Sequence, residues 1–129
     1  MVCVDTSFLV ALERREAGAL EKVSELADRG ESVFVSAVSV AEFFRGAYGS
    51  RDRERALREA RGLIGLFAVL DLDYEAGRLW GELSESMKSS PVGDRNLFIA
   101  CIALANRQGV LTRNLKHFDG VPGLVVESW

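Results

Sequence analysis

The chain has 129 residues, of which 48% are hydrophobic, so we expect one domain over residues 1–129 that buries a single core. Its formal net charge of −3 argues against a protein that holds nucleic acid through overall positive potential, so any polyanion must be held locally. No apolar run is long enough to span a bilayer, and the opening residues lack the basic segment and cleavage site of a secretory signal, so we expect a cytoplasmic protein with no membrane partner.

The first half of the chain predicts strands that alternate with helices. Residues 2–4 form a short apolar strand that ends at Asp5, and apolar residues at helical spacing follow directly, from Phe8 to Leu12. The elements predicted next are a helix over 19–28, a strand over 32–36, a helix over 37–48 and an arginine-rich helix over 51–65. The chain therefore returns to a sheet between its helical segments.

The second half continues this alternation. The predicted elements are a strand over 67–72, a helix over 74–88, a helix that opens at 94–96 and ends near 109, a strand over 110–112 and a closing strand over 124–126. Strands that alternate with helices of ten or more residues indicate an α/β fold. We expect a three-layer α/β/α sandwich with a mostly parallel central sheet.

Two features of the sequence favour structural roles over chemical ones. Five arginines between 51 and 61 alternate with acidic residues, which is typical of a solvated helix face whose charges pair with each other rather than of an RNA platform. Cys3 and Cys101 lie within apolar stretches, so we expect small core residues and neither a disulfide nor a metal site.

Polar side chains follow two of the predicted strands. The tripeptide DTS (5–7) comes after the first strand, and TRN (112–114) comes after the strand over 110–112. Because ligand sites in open α/β sheets form beyond the carboxyl ends of the strands, these two clusters should share one edge of the sheet.

Further acidic residues are predicted near the same edge. Glu42 lies at the margin of the apolar stripe of its helix, where a carboxylate can border a cleft. Asp94, Arg95 and Asn96 open their helix, so their side chains also lie at the end of an element. Together these residues predict an acidic pocket.

An acidic pocket favours a bound divalent cation. Carboxylates within about 4 Å of each other cost roughly 1 to 4 kcal/mol per pair unless a cation compensates their charge. Mg²⁺ or Mn²⁺, held by few carboxylates and by waters, activates a water nucleophile and offsets the charge of an attacked phosphodiester. His117 is the only histidine, which argues against histidine-pair nucleases and His-rich zinc sites. The absence of G-x-S-x-G, GxxxxGK(S/T) and GxGxxG motifs also disfavours serine hydrolases, kinases and dehydrogenases.

Each acidic residue also has a purely structural alternative. Asp5 can cap the N-terminus of the following helix, in competition with the hydroxyl residues beside it. Glu42 can pair with Arg45 one turn further on, and Asp94 can cap the helix that it opens. Taken one residue at a time, the sequence favours the structural alternative for Glu42 and Asp94 and leaves Asp5 evenly balanced.

Several ordered motifs resemble the PIN-domain family, and the VapC toxins within it, over essentially the whole chain. The opening VCVDTSFLVAL resembles the family's first strand, which ends in Asp followed by Thr or Ser, and SAVSVAEFFRGAY resembles the helix that supplies a second carboxylate. VGDRNLFIACIALANRQGVLTRNLKHF resembles the segment in which G-x-x-D-x-x-I-A-A precedes a hydrophobic strand and T-R-N. PGLVVESW resembles the closing strand.

The resemblance implies a metal site and assigns residues to it. Asp5 is implied as the first metal-binding carboxylate and Glu42 as the second. Asn114 matches a fourth region of the family site, where Asn or Asp contacts the metal directly or through water. The supporting residues in this assignment are Thr6, Ser7 and Thr112.

Asn96 is the one departure from the family pattern. The alignment of residues 99–100 with the family's Ile-Ala places Asn96 at the third carboxylate position. Asn supplies no negative charge, so metal affinity and water activation should fall, which leaves weak activity or none. Three accounts are open: a natural deviation, a change introduced to disarm a toxic nuclease, which we rank slightly first, or rescue by Asp94. Asp94 is only a secondary metal candidate, because residues two apart on a helix differ by about 200° in direction.

The resemblance also implies an activity and partners. We expect a metal-dependent endoribonuclease toxin that hydrolyses RNA such as transfer RNA, forms a homodimer and is neutralised by a VapB-type antitoxin that covers the active site. The first alternative is a non-catalytic PIN module that binds an antitoxin or RNA without cleaving it. The second is a receiver-like signalling domain, for which Asp71 or Asp73 together with Lys116 fits poorly.

Overall fold

The computed structural model describes all 129 residues, and it contains every strand and helix that the sequence predicts. The strands are β1 (Val2–Val4), β2 (Val33–Ser36), β3 (Ala68–Leu70), β4 (Gly109–Leu111) and β5 (Val126–Glu127). The helices are α1 (Thr6–Glu13), α2 (Ala17–Asp28), α3 (Ala37–Tyr48), α4 (Arg53–Ile64), α5 (Tyr74–Ser86) and α6 (Asp94–Ala105). A 3₁₀ turn over Leu115–Phe118 was not predicted.

The five strands form one sheet in the order β3-β2-β1-β4-β5, and every pairing is parallel. β1 is central, because Val4 is in register with Val35 of β2 and with Leu111 of β4. Parallel neighbours bring their carboxyl ends to the same edge, so the residues that follow β1 and β4 lie together. The predicted shared edge is therefore confirmed.

Helices cover both faces of the sheet, and the alternation of side chains along β1 separates two cores. Val2 and Val4 face a core formed with α1, α2, α3 and α4, whereas Cys3 faces a second core formed mainly with α5 and α6. The sheet is thus buried on both sides, as parallel sheets are. This arrangement confirms the three-layer α/β/α sandwich.

The helix starts follow from local sequence. Asp5, Ser36, Asp52 and Asp73 cap α1, α3, α4 and α5, and each side-chain oxygen accepts from the backbone N–H three residues on. Such caps contribute about 0.5–2 kcal/mol each. The alternative that Asp94 caps α6 is wrong, because Gly93 occupies the cap position and Asp94 is the first helical residue.

The structure agrees with the structural roles predicted for the cysteines and for the arginine-rich helix. Both cysteines are free and fully buried, and burial raises the pKa of the Cys3 thiol to about 12 and that of Cys101 to about 11, with the nearby charge of Asp5 adding to the shift at Cys3. The arginines between 51 and 61 are exposed, and Arg55 pairs with Glu59 at 3.0 Å. None of the helices has the length and apolar character needed to cross a membrane.

Candidate active site

A polar cleft of about 550 Å³ opens near the carboxyl ends of the central strands. None of the residues that line it is hydrophobic. The lining residues are Asp5, Ser7, Glu42, Gly93, Asp94, Arg95, Asn96, Asn114 and His117. Every residue that the sequence assigned to metal binding or catalysis therefore lines a single cleft.

Asp5 is the most firmly held carboxylate in this cleft. It follows the central strand, is only 5% exposed, and accepts three hydrogen bonds. Its Oδ1 accepts from the Ser7 hydroxyl at 2.6 Å and from the Phe8 backbone N–H at 3.2 Å, and its Oδ2 accepts from the Thr112 hydroxyl at 2.6 Å. Each carboxylate oxygen has about two acceptor sites, so Oδ2 keeps one for a further ligand. Asp5 is thus both the helix cap that the sequence allowed and a cleft residue.

Glu42 reaches the cleft from the second turn of α3. Its side chain is 24% exposed, its Oε1 accepts from the Thr6 hydroxyl at 2.8 Å, and its Oε2 lies 3.3 Å from Nη1 of Arg95. No ion pair with Arg45 forms, so that structural alternative is wrong. The two neighbouring hydroxyls therefore serve different carboxylates: Ser7 donates to Asp5, and Thr6 donates to Glu42.

The first turn of α6 forms one wall of the cleft. Asn96 is half-buried, whereas Asp94 and Arg95 are exposed. Trp80 of α5 contacts the backbone of this turn, because its indole N–H donates to the Asp94 carbonyl oxygen at 3.4 Å. No three Asp, Glu, His or Cys side chains come close enough together to form a metal-binding group. Asp94 lines the same cleft as Asp5 and Glu42 but forms no three-residue acidic group with them, and its role as a secondary metal ligand stays a prediction.

The loop after β4 supplies further cleft residues, Asn114 and His117. Thr112 is fully buried, and its hydroxyl donates to Asp5 while accepting from the backbone N–H of Asn114 at 3.0 Å. The 3₁₀ turn then carries the chain back, with buried Phe118 as its anchor. His117 consequently lines the cleft three residues after Asn114, a spacing that places two side chains on one side of a 3₁₀ turn.

Arg95 and His117 are the cleft residues that sequence reasoning did not assign to the site. In the sequence, Arg95 lies between two candidate ligands, Asp94 and Asn96, and that position is itself a signal. His117 approaches the cleft through the 3₁₀ turn, which the sequence does not predict. The cleft therefore holds three carboxylates and one guanidinium, and its net charge suits a cation.

The receiver-like alternative does not fit this geometry. Asp71 and Asp73 follow β3, which is an edge strand, and Asp73 is used as the cap of α5. Neither residue lines the cleft, and Lys116 is not among its lining residues either.

The family model described as "PIN domain" matches residues 2–124. The chain belongs to the PIN-domain family. Within this family, curated relatives and solved structures of the VapC type resemble it over most or all of its length.

Three of these relatives show the extent of the similarity. Ribonuclease VapC1 of Haemophilus influenzae is 28% identical, and the match covers 98% of this chain and 96% of that protein. The tRNA(fMet)-specific endonuclease VapC of Salmonella typhimurium is 33% identical, with 74% of each protein covered. The structure of VapBC-1 from nontypeable Haemophilus influenzae superimposes with a TM-score of 0.87 at 27% identity and covers 100% of this chain and 98% of that one. The PIN-like fold and the VapC-type membership expected from the sequence are therefore confirmed.

Proposed function

We propose that this protein is a metal-dependent endoribonuclease of the VapC type, which hydrolyses RNA at the cleft that contains Asp5 and Glu42. The observation that carries the proposal is the convergence of both carboxylates, each oriented by hydroxyl donors, in a cleft without hydrophobic lining. Relatives named as a ribonuclease and as a tRNA(fMet)-specific endonuclease support RNA as the substrate class.

The donor set fits a hard divalent cation. Oxygen atoms of carboxylates and amides are the ligands that Mg²⁺ and Mn²⁺ prefer, and the cleft offers Asp5, Glu42, Asn96 and Asn114. Mg²⁺ typically keeps several waters and takes only one or two protein carboxylates together with substrate phosphates, so two anchored carboxylates are a sufficient minimum. When bound, such an ion lowers the pKa of a coordinated water and stabilises charge on the phosphate.

The residues of the chain have separate roles in this proposal. Asp5 and Glu42 hold the cation, Asn96 and Asn114 supply neutral oxygen ligands, and the hydroxyls around them fix the carboxylates. Thr112 and Ser7 use their donors on Asp5, and Thr6 uses its donor on Glu42. Orienting partners of this kind typically change metal affinity by about 10–100-fold when removed.

Asn96 sets the expected level of activity. At this position the amide keeps one oxygen ligand but lacks the charge that would strengthen cation binding. We propose that this weakens the metal site and lowers cleavage. Asp94 is exposed and forms no three-residue acidic group with Asp5 and Glu42, which argues against full compensation.

The test compares cleavage of single-stranded RNA and transfer RNA by this protein and by its Asn96→Asp variant, each with Mg²⁺, Mn²⁺ or chelator. We expect strong cleavage only from Asn96→Asp, and we expect it to disappear with chelator or when Asp5→Asn is added. If Asn96→Asp binds Mn²⁺ but cleaves neither single-stranded RNA nor transfer RNA, the nuclease proposal fails.

An apolar groove separate from the cleft suits a protein partner. It measures about 630 Å³, and its walls come from α1 and α2 and from the segment 63–67 at the end of α4. Ten of its twelve lining residues are hydrophobic. Leu20, Val23 and Leu66 in it remain 47%, 43% and 79% exposed, an arrangement typical of a docking surface. We propose a segment of a VapB-type antitoxin as the occupant, which the similarity to VapBC-1 supports.

The groove assignment has its own test. The double variant Val23→Glu with Leu66→Glu should abolish co-purification of a VapB-type chain identified by mass spectrometry, and it should leave the cleft unchanged. A change in the oligomeric state of the isolated protein would instead assign the groove to the homodimer, which is itself still a prediction. We propose that residues 1–129 act as a single PIN domain in both assemblies.

A non-catalytic PIN module is the second candidate function. Asn96 and the ion pair between Arg95 and Glu42 favour it, because together they remove one carboxylate and neutralise another. This candidate predicts that Asn96→Asp gains neither metal binding nor cleavage, while binding to RNA or to an antitoxin persists.

A further inference from the structure

A cluster of side chains outside the cleft joins four segments of the chain. The Trp129 ring meets the Phe8 ring edge-on, with centroids 5.2 Å apart and an interplanar angle of 78°. The guanidinium of Arg113 lies 4.1 Å from the centroid of the Trp129 ring, and its Nη2 donates to Glu16 at 2.8 Å. None of these residues lines the cleft, so direct contact with a ligand there is not their role.

Two of the residues that Trp129 contacts, Phe8 and Arg113, carry a backbone N–H that supports the Asp5 carboxylate. The N–H of Phe8 donates directly to Asp5 Oδ1 at 3.2 Å. The N–H of Arg113 donates to the Ser7 hydroxyl at 3.3 Å, and that hydroxyl donates in turn to Asp5 Oδ1 at 2.6 Å. Two independent routes therefore connect the Trp129 ring to the same carboxylate oxygen.

The cluster also determines where the Arg113 charge lies. In sequence, Arg113 lies between Thr112, which donates to Asp5, and the cleft residue Asn114, but its side chain is held by Glu16 and the Trp129 ring instead. A guanidinium is attracted both to a carboxylate and to an aromatic face, so these two partners hold the charge away from the cleft. The loop is thereby fixed with its polar atoms toward Asp5.

We infer that Trp129 is a positioning residue for Asp5, acting through Phe8 and Arg113. It orders two N–H donors that help to orient the carboxylate, that of Phe8 directly and that of Arg113 through the Ser7 hydroxyl, and it keeps the Arg113 guanidinium outside the cleft. The inference rests on the proposed function for its consequence, which is tighter cation binding by a fixed Asp5.

Amide hydrogen exchange tests the arrangement without metal or RNA. Trp129→Leu should raise exchange about fivefold or more at the amides of Phe8 and Arg113, since removal of their packing partner loosens the local hydrogen bonds. Trp129→Phe keeps an aromatic face and should restore exchange to within about twofold. Leu83→Ala is the control, because it destabilises the second core without contact to this cluster.

A second variant and a second readout complete the test. Arg113→Met keeps the peptide N–H and a side chain of similar length but removes the charge. Because the charge contributes to holding the Trp129 ring in position, this variant should also raise hydrogen exchange at the Phe8 and Arg113 amides. In the Asn96→Asp background, Trp129→Leu should weaken Mn²⁺ binding about tenfold, and Trp129→Phe should recover it.

The outcomes separate the inference from the proposed function. If Trp129→Leu changes the two amides no more than Leu83→Ala does, the inference is overturned. If the amides respond as expected but no variant binds Mn²⁺, the positioning role stands and the metal-dependent function fails.

Discussion

The hydroxyl of Thr112 lies 2.6 Å from Oδ2 of Asp5, and it joins residues that are 107 positions apart in the sequence. Both side chains are buried, at 0% and 5% exposure. The contact ties the end of β4 to the end of the central strand and satisfies a charged oxygen that little solvent reaches. Leaving a buried carboxylate oxygen without its donor destabilises the fold by more than the net contribution of an ordinary hydrogen bond.

Thr112→Val should therefore destabilise the protein without changing its shape. Val has nearly the same volume but no donor, so we expect the free energy of unfolding to fall by about 1–3 kcal/mol. Urea denaturation followed by circular dichroism measures this change. Thr112→Ser restores the hydroxyl and should recover most of the loss, and an unfolding curve for Thr112→Val equal to that of the wild type would rule out a stabilising contact.

Asn96→Asp should give opposite effects on stability in the absence and presence of metal. In chelator, a third carboxylate near Asp5 and Glu42 adds repulsion, and we expect a loss of about 1 kcal/mol. With Mn²⁺, binding to the folded state should reverse the loss, since a ligand at 100 times its Kd adds about 2.7 kcal/mol. Thermal unfolding with and without Mn²⁺ measures both effects.

The controls for Asn96→Asp separate the third ligand position from general charge. Adding Asp5→Asn should remove the gain from Mn²⁺. Adding Asp94→Asn should leave it intact if Asp94 is not a ligand, and loss of the gain would instead assign the metal to Asp94. Equal melting temperatures with Mn²⁺ and with chelator would contradict a metal site at position 96.

Arg95→Ala should increase the affinity of the cleft for cations. The Arg95 guanidinium lies 3.3 Å from Glu42, and a metal ion must compete with it for that carboxylate. Because Arg95 is 67% exposed and screened by salt, we expect only about a three- to tenfold gain in Mn²⁺ affinity at low ionic strength. Calorimetric titration of this protein and of the Asn96→Asp background measures the gain.

Arg45→Ala is the matched control for Arg95→Ala. Arg45 lies one turn from Glu42 on the same helix and is exposed, but it makes no ion pair with that carboxylate. The Arg45→Ala variant therefore removes the same charge from the same region as Arg95→Ala. A gain equal to that of Arg95→Ala would show that net charge alone matters and that direct competition for Glu42 is absent.

The shared edge of the sheet followed from patterns that are local in sequence, whereas the strand order was supplied by the structure. The apolar run before Asp5 and the run before Thr112 are short and bounded by polar residues, so each strand end could be placed within a residue. Parallel pairing then fixed which ends meet. Glu42 was predicted to border the cleft from its place at the margin of the apolar stripe of its helix, and the structure shows that this helix, α3, begins at the carboxyl end of β2.

Other features depend on backbone conformation and packing that no local pattern specifies. The end of α6 was predicted near Gly109, but the helix ends at Ala105 and Arg107 adopts a left-handed φ of 56°. Gly109 instead belongs to β4, where a Cβ would lie 2.9 Å from the Val125 carbonyl oxygen. Glycine is needed there for close approach of the closing segment and not as a helix stop.

Side-chain partners across the fold were also beyond the sequence. Lys22 on α2 is only 8% exposed, and its ammonium pairs with Glu127 of the closing strand and with Glu25 at 3.3 Å. Arg29 adds a further contact to Glu127 at 3.1 Å. A lysine in an amphipathic helix is ordinarily exposed, so its burial depends on a carboxylate 105 positions later that only tertiary structure supplies.

This cluster makes stability depend on pH in two windows. Hydrogen bonding by Lys22 lowers the pKa of Glu127 below its ordinary value of 4.5, against a smaller opposing effect of burial. The pKa of Lys22 is raised above 10.5, because its hydrogen bonds and charge interactions with Glu127 and Glu25 together outweigh the desolvation that opposes the shift. The contribution of Glu127 to the free energy of unfolding is therefore complete above pH 4.5 and is lost as the pH falls through the folded pKa of Glu127. The contribution of Lys22 is complete below pH 10.5 and is lost as the pH rises through the folded pKa of Lys22.

Glu127→Gln should therefore destabilise the protein at neutral pH but less so in acid. Since Glu127 is one-third exposed and Glu25 remains beside Lys22, we expect a loss of about 1–2 kcal/mol at pH 7. Below pH 4.5 the difference from the wild type should shrink, because Glu127 is then protonated in the unfolded protein and, as the pH falls further, in the folded protein as well.

Urea denaturation at a series of pH values measures the difference in the free energy of unfolding between Glu127→Gln and the wild type. Glu59→Gln, which removes an exposed partner of Arg55, is the control that should leave stability unchanged at every pH. A difference that stays constant from pH 7 into acid would mean that Glu127 stabilises the closing strand through packing rather than through its charge.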